Sequence, residues 1–231
     1  MLVYGKNVVS EYLYGNKKIE KAYIQQNFND FDIINKLKKR NIKIESLTKF
    51  DMDKKVSGLH QGIILSVEDY KYANIHDLIS DDDSLIVMLD HIEDPHNFGA
   101  IIRSCEAAGV DGIIIPTDRS VEVNATVIKT SVGTTEKMKI ARVTNLNSTI
   151  KLLKDKGYWI FGTDMDGEDY TKLDYKGKTC IICGNEGSGM SKLTKENCDF
   201  IASIPMKGEV NSLNASVATA IIVFEAIKQR I

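Results

Sequence analysis

Hydrophobic positions along the first 70 residues switch between two periods. Residues 7–14 read as a short helix, and residues 21–25 (KAYIQ) as a strand. Residues 30–40 place apolar side chains at 31, 33, 34 and 37, the stripe of an amphipathic helix. Residues 42–46 and 61–67 read as strands, so the segment predicts a small α/β unit with its own core. Residues 70–84 (YKYANIHDLISDDDS) hold a short helix and an acid run, where a linker is expected.

From residue 85 the chain alternates strand and helix repeatedly. LIVMLD (85–90), WIFGTD (159–164) and TCIICG (179–184) are near-continuous apolar runs, typical of strands covered on both faces. DGIIIP (111–116) and FIASIP (200–205) add two more strands. A loop over 91–98 leads to a helix ending near Ala108, with Gly109 as its stop. Further helices are expected near 122–131 and 146–156, and a long one from about Ser212 to Arg230. Such alternation predicts a parallel sheet with helices on both faces. The expected organisation is 1–74, a linker at 75–83, and 84–231.

Composition changes this picture in two places. Net charge is −2, but residues 1–74 carry 13 Lys/Arg against 9 Asp/Glu, a local +4, and nine of the 17 aromatic residues. A basic, aromatic-bearing module on an acidic body suits phosphate attraction and base stacking. KLKKR (36–40) taken alone reads as a solvated helix face. Cys180 and Cys183 form a C-x-x-C inside an apolar strand, with no second Cys or His pair at finger spacing, and read as core cysteines rather than metal ligands. No stretch reaches the roughly 18–20 apolar residues of a membrane span, and the start lacks a signal-peptide pattern, so a cytoplasmic protein is expected.

In open α/β sheets ligands bind beyond the carboxyl ends of strands, and three loops there have unusual composition. DHIEDPHNFGAIIRS (90–104) carries Asn97 and, six residues on, Arg103. If a helix starts near Asn97, the two point roughly the same way. Asn97 alone is compatible with a helix cap and Arg103 with a structural ion pair. GNEGSGM (184–190) holds three glycines in seven residues after a strand, fit to wrap a ligand with backbone N–H groups. It is neither G-x-G-x-x-G nor a Walker loop, which disfavours an ordinary dinucleotide fold. Glu186 within it could orient a ligand or cap the next helix. In IPMKGEVNSLNAS (204–216), Ser212 and Asn214 open a helix that is apolar nearly all round, as buried or interface helices are.

Together the three segments resemble the signature motifs of the SPOUT methyltransferases, SpoU/TrmH branch. Asn97-x-Gly99-x-x-x-Arg103 matches the first motif, Gly184-Asn185-Glu186-Gly187 with Gly189-Met190 the second, and Ile204-Pro205-Met206 through Ser212-Leu213-Asn214-Ala215-Ser216 the third. Ala215 stands where the motif often has Val. The leading part, with GKNVVSEYL and LHQGIIL, is similar to the substrate-binding domain of the 23S rRNA guanosine 2′-O-methyltransferase subgroup. The resemblance implies an α/β fold with a deep trefoil knot, preceded by a small ribosomal-protein-like α/β domain. It implies S-adenosylmethionine contacted by Thr163, Gly184, Ile204 and Leu213, and a homodimer. It further implies 2′-O-methylation of RNA, with Asn97, Arg103, Glu186, Ser212 and Asn214 as the catalytic set and 23S rRNA as partner.

A guanidinium is a poor proton acceptor, so Arg103 is equally suited to gripping a phosphate and stabilising charge on the 2′-oxygen. The other readings are a tRNA 2′-O-methyltransferase of the same fold, a non-catalytic RNA-binding assembly or resistance protein, and a different nucleotide-binding enzyme. The intact polar set weighs against the second. The missing phosphate-loop lysine and metal-ligand cluster weigh against the third.

Overall fold

The computed structural model describes the chain apart from Asn16, Glu186 and Asn211. In chain order it runs β1 (Leu2–Tyr4), α1 (Lys6–Tyr14), β2 (Ile19–Gln25), α2 (Phe31–Lys39), β3 (Ile44–Leu47), α3 (Lys49–Asp53), β4 (Ile63–Val67), β5 (Leu85–Asp90), α4 (Pro95–Ala108) and β6 (Gly112–Pro116). It continues α5 (Ala125–Thr130), β7 (Ile140–Val143), α6 (Leu146–Asp155), β8 (Trp159–Asp169), β9 (Thr179–Gly184), α7 (Lys192–Glu196), β10 (Phe200–Ser203) and α8 (Ala215–Lys228).

Two compact units result. One is Met1–Lys71 with Val123–Glu136, the other Tyr72–Glu122 with Lys137–Ile231. The first unit therefore takes in α5, which the strand–helix alternation assigns to the second half. The reason is packing: Ala125 of α5 lies against a core of Tyr4, Met52 and Ile64. The Tyr12 hydroxyl also donates to Glu136 at 2.7 Å.

The first unit holds a four-stranded sheet in the order β1-β4-β2-β3. β4 is antiparallel to β1 and β2, and β2 is parallel to β3. Asp30 caps α2, its carboxylate accepting from the Ile33 N–H. Lys38 and Lys39 form the solvated face that KLKKR predicts. Arg40 instead donates to the carbonyls of Tyr12 at 2.7 Å, Gly15 at 3.0 Å and Lys17 at 2.7 Å. It thereby satisfies carbonyls that the end of α1 leaves without helical partners.

The second unit is built on a six-stranded sheet in the order β10-β8-β9-β5-β6-β7, parallel at every step. β5 is buried along its whole length and β9 up to Gly184. Ile86, Met88, Ile114, Ile160 and Ile182 share one core cluster, and burying each such side chain contributes about 1.5–3 kcal/mol. Cys180 belongs to that cluster. Cys183, three positions on in the same strand, faces the other way, so the C-x-x-C presents no common ligand face. Among the described residues no His, Cys, Asp or Glu group could hold a metal ion, and no helix is long and apolar enough to cross a membrane. α4 stops at Gly109, whose left-handed φ of 76° suits glycine.

Candidate functional site

Because every strand of the larger sheet runs the same way, all carboxyl ends share one edge. β5 delivers Asp90 to it. The Asp90 carboxylate is 1% exposed, a costly position for an unpartnered charge, and it is satisfied by His91 Nδ1 and by the Ser191 backbone N–H at 2.8 Å. The loop after β9 is thus tied to the end of β5. Asn185 makes the second tie, donating through Nδ2 to the His91 carbonyl at 2.8 Å and accepting from the Gly187 N–H at 2.9 Å. Gly184 permits the loop to fold back, since a Cβ there would sit 2.3 Å from the Gly189 carbonyl carbon.

The loop after β5 is shorter than the sequence pattern predicts. Asp94 caps α4, accepting from the His96 N–H at 3.0 Å, and Pro95 occupies the first turn. Asn97 is accordingly not the cap. It lies inside the first turn, 9% exposed, and its Oδ1 accepts from Asn214 Nδ2 at 2.8 Å across 117 positions of sequence. The final helix begins at Ala215 rather than Ser212. Asn214 is its cap: one side-chain oxygen accepts from the Ser216 N–H at 2.9 Å and the Ser216 hydroxyl at 2.6 Å. A single side chain therefore starts α8 and holds α4.

Beside this clamp lies a cavity of about 370 Å³. Thr163 of β8, Gly184 of β9, Ile204 just beyond β10, and Ser212 and Leu213 before α8 all line it, so the four expected cofactor contacts meet in one place. Cys183 also lines it, uncharged at neutral pH: burial pushes its thiol up to about 11, against hydrogen bonds with Thr219 and Thr163. At the rim, burial raises Asp164, but a 2.9 Å ion pair with Lys195 and backbone hydrogen bonds outweigh that and hold the carboxyl below its usual range. Arg103 is exposed and does not line the cavity. The structural ion pair that its position allows is not found among the described residues. Glu186 lies outside those residues. Asp90 and His91 have positional roles that the sequence pattern does not single out, and Asn185, quoted there only within the glycine-loop motif, ties that loop to His91. The signal available is an acid closing an otherwise unbroken apolar strand.

A parallel sheet with a ligand-sized cavity at its carboxyl edge, flanked by a glycine loop and a polar helix start, defines an α/β protein built to hold a small molecule there. Comparison with known proteins narrows that class. The SpoU rRNA methylase family model matches residues 84–224, and the model for RNA 2′-O ribose methyltransferase substrate binding matches residues 2–73. A Bacillus subtilis protein named for TrmH-family tRNA/rRNA methyltransferases is 38% identical over 237 residues, spanning 99% of this chain and 95% of its own length. The SpoU methyltransferase AviRb from Streptomyces viridochromogenes, solved with AdoMet, superposes with a TM-score of 0.86 at 24% identity, covering 100% of this chain and 90% of AviRb. An AdoMet-bound rRNA methyltransferase from Sinorhizobium meliloti superposes at 0.85 with 25% identity, covering 100% and 87%. The chain belongs to the SpoU/TrmH family of RNA methyltransferases.

Proposed function

We propose that the protein transfers a methyl group from S-adenosylmethionine to a ribose 2′-hydroxyl of RNA, with a guanosine of 23S rRNA as the substrate. The observation that carries this reading is the convergence of Thr163, Gly184, Ile204 and Leu213 on one cavity beside the Asn97–Asn214 clamp. The cavity fits the cofactor. Its volume falls within the roughly 300–1,000 Å³ of small-ligand sites, and apolar Leu213, Met206 and Ile222 face it together with a hydroxyl and loop backbone. The cofactor supplies a sulfonium-bound methyl group as electrophile. The chain's own residues position the acceptor. Asn97 and Asn214 fix two helix starts against each other. Arg103, exposed on the same helix as Asn97, grips the RNA phosphate and stabilises charge on the 2′-oxygen. Ser212 orients the ribose, and Glu186, which lies outside the described residues, is assigned the ordering of the site.

Residues 1–74 act as the RNA-binding module, 75–83 as linker and 84–231 as the methyltransferase domain with the trefoil knot of the SPOUT fold, a functional division that follows the sequence, although residues 123–136 belong to the first compact unit and 72–83 to the second. The match of residues 84–224 to the SpoU methylase family supports assigning that fold. The family model matching residues 84–224 is described as one of rRNA methylases, and that favours ribosomal RNA in this reading. Transfer of labelled methyl to rRNA and tRNA from a strain lacking the protein tests this directly. Label in a 23S guanosine is expected; label in tRNA alone would replace the substrate, and none in either would sink the reading. The protein is inferred to act as a cytoplasmic homodimer. α8 supports this, leaving Val217 46% and Phe224 49% exposed on a helix that is otherwise apolar. Sedimentation at micromolar concentration is expected to give twice the chain mass.

A further inference from the structure

A second cavity, of about 570 Å³, lies wholly within the first unit and takes no part in the site above. Its walls come from the start of α1, the end of β2 with the loop that follows, the start of α3, and the loop over 57–62. That last loop is held in a fixed shape. His60 is 5% exposed, and its Nδ1 accepts from the Gly62 N–H at 2.9 Å. Nδ1 therefore carries no hydrogen in the neutral ring, and Nε2 donates to Asp53 at 3.0 Å. Gln61 adopts a left-handed φ of 53°, a conformation that a non-glycine residue takes only when its surroundings impose it. Its Oε1 accepts from the Lys6 backbone N–H at 2.8 Å.

Carboxamides recur in the lining. Gln25, Asn27 and Asn29 face the cavity, and their side-chain amides make no hydrogen bond to the described residues, Gln25 being bonded through its backbone to Gly62. Each offers a donor and an acceptor side by side, the complement of a nucleobase edge. Lys49 supplies positive charge at the wall, whereas the Lys6 ammonium is paired with Asp30 at 3.0 Å and Asp53 adds a carboxylate bonded to His60. Outside the cavity and two positions after Asn29, Phe31 is 74% exposed, an open aromatic face of the kind on which unpaired bases stack. Phe50, next to Lys49, is 67% exposed and carries the Lys54 ammonium 4.1 Å from its ring centroid. With one lysine unpaired among the described residues and the Asp53 carboxylate in the lining, phosphate alone is a poor match for the cavity as a whole, and the amides point to a base with its phosphate at the Lys49 edge. A cavity of this size suits one small ligand.

We infer that this cavity receives one unpaired nucleotide of the RNA substrate, with Gln25, Asn27 and Asn29 reading its base edge and Lys49 holding its phosphate. The inference rests on the RNA methyltransferase reading and adds a base-reading subsite to it. The full-length protein is titrated, by fluorescence anisotropy, with labelled A, C, G and U ribo-oligomers and an abasic oligomer of equal length. At least one base-bearing oligomer is expected to bind about tenfold tighter than the abasic one, the discrimination that a bidentate amide contact supplies. Gln25→Ala combined with Asn27→Ala, and separately the exposed Asn29→Ala, removes that preference, with melting temperature and S-adenosylmethionine affinity unchanged. Lys49→Ala weakens all oligomers alike, the abasic one included. A wild-type protein blind to the base, or amide variants that keep the preference, would overturn the inference. Failure of the underlying reading is distinguishable: the wild-type protein would then methylate no RNA, whatever its oligomer preference.

Discussion

Arg103→Ala is expected to lower methyl transfer by about 10²–10³-fold, the usual cost of removing one group that stabilises developing charge, while S-adenosylmethionine still binds. Stability should change by no more than about 0.5 kcal/mol, because Arg103 is exposed on α4 and surface substitutions away from packed features fall in that range. An arginine in mid-helix without an ion pair among the described residues contributes little to the fold, which leaves function as the reason for it. Arg103→Lys should recover only a small part of the rate, since an ammonium keeps the charge but loses the planar fork that grips two oxygens. Calorimetry with S-adenosylmethionine and a thermal melt accompany the transfer assay. Loss of cofactor binding together with activity would make Arg103 structural. Retention of most of the rate would remove it from the site.

How far the sequence revealed this arrangement depended on whether each determinant was local. The strands at 85–90 and 179–184 were legible because burial on both faces leaves unbroken apolar runs. β1, α3, β7 and α7, of three to five residues, were not read, although β3, β4, β6 and β10 are equally short and were. The start of α4 was legible by a rule that the Asn97 reading overlooked: Asp94 followed by Pro95 is a cap followed by a first-turn proline. Between Ser212 and Asn214, either could cap the last helix by residue type. Tertiary structure selects Asn214, whose amide also reaches Asn97. Sheet order and the placement of α5 in the first unit depend on pairings distant in sequence, and neither composition nor period records them. Cofactor contacts emerged only through the resemblance, because Thr163, Ile204 and Leu213 are individually ordinary residues. What unites them is a shared edge of the sheet.

That double duty of Asn214 makes it the position where stability and activity can be separated. Asn214→Ala removes both the cap and the bond to Asn97, and is expected to cost about 1–2 kcal/mol of stability along with most of the transfer rate. Asn214→Asp should behave differently. Aspartate caps as well as asparagine does, so the bonds from the Ser216 and Val217 N–H groups persist. The donor facing Asn97 Oδ1 becomes an acceptor, however, and the clamp is lost. Stability near the wild-type value with a rate about tenfold to a hundredfold lower is therefore expected, the scale on which small displacements of reacting groups act. Asn97→Ala should lower the rate similarly, and the double variant Asn97→Ala/Asn214→Asp should lose little more, because both changes remove the same bond. Denaturant melts and transfer kinetics on the four proteins measure the coupling. Additive rate losses, or an Asn214→Asp protein as active as wild type, would show that the bond between the two helix starts serves the fold alone, and that Asn214 is a helix cap which happens to lie next to the site.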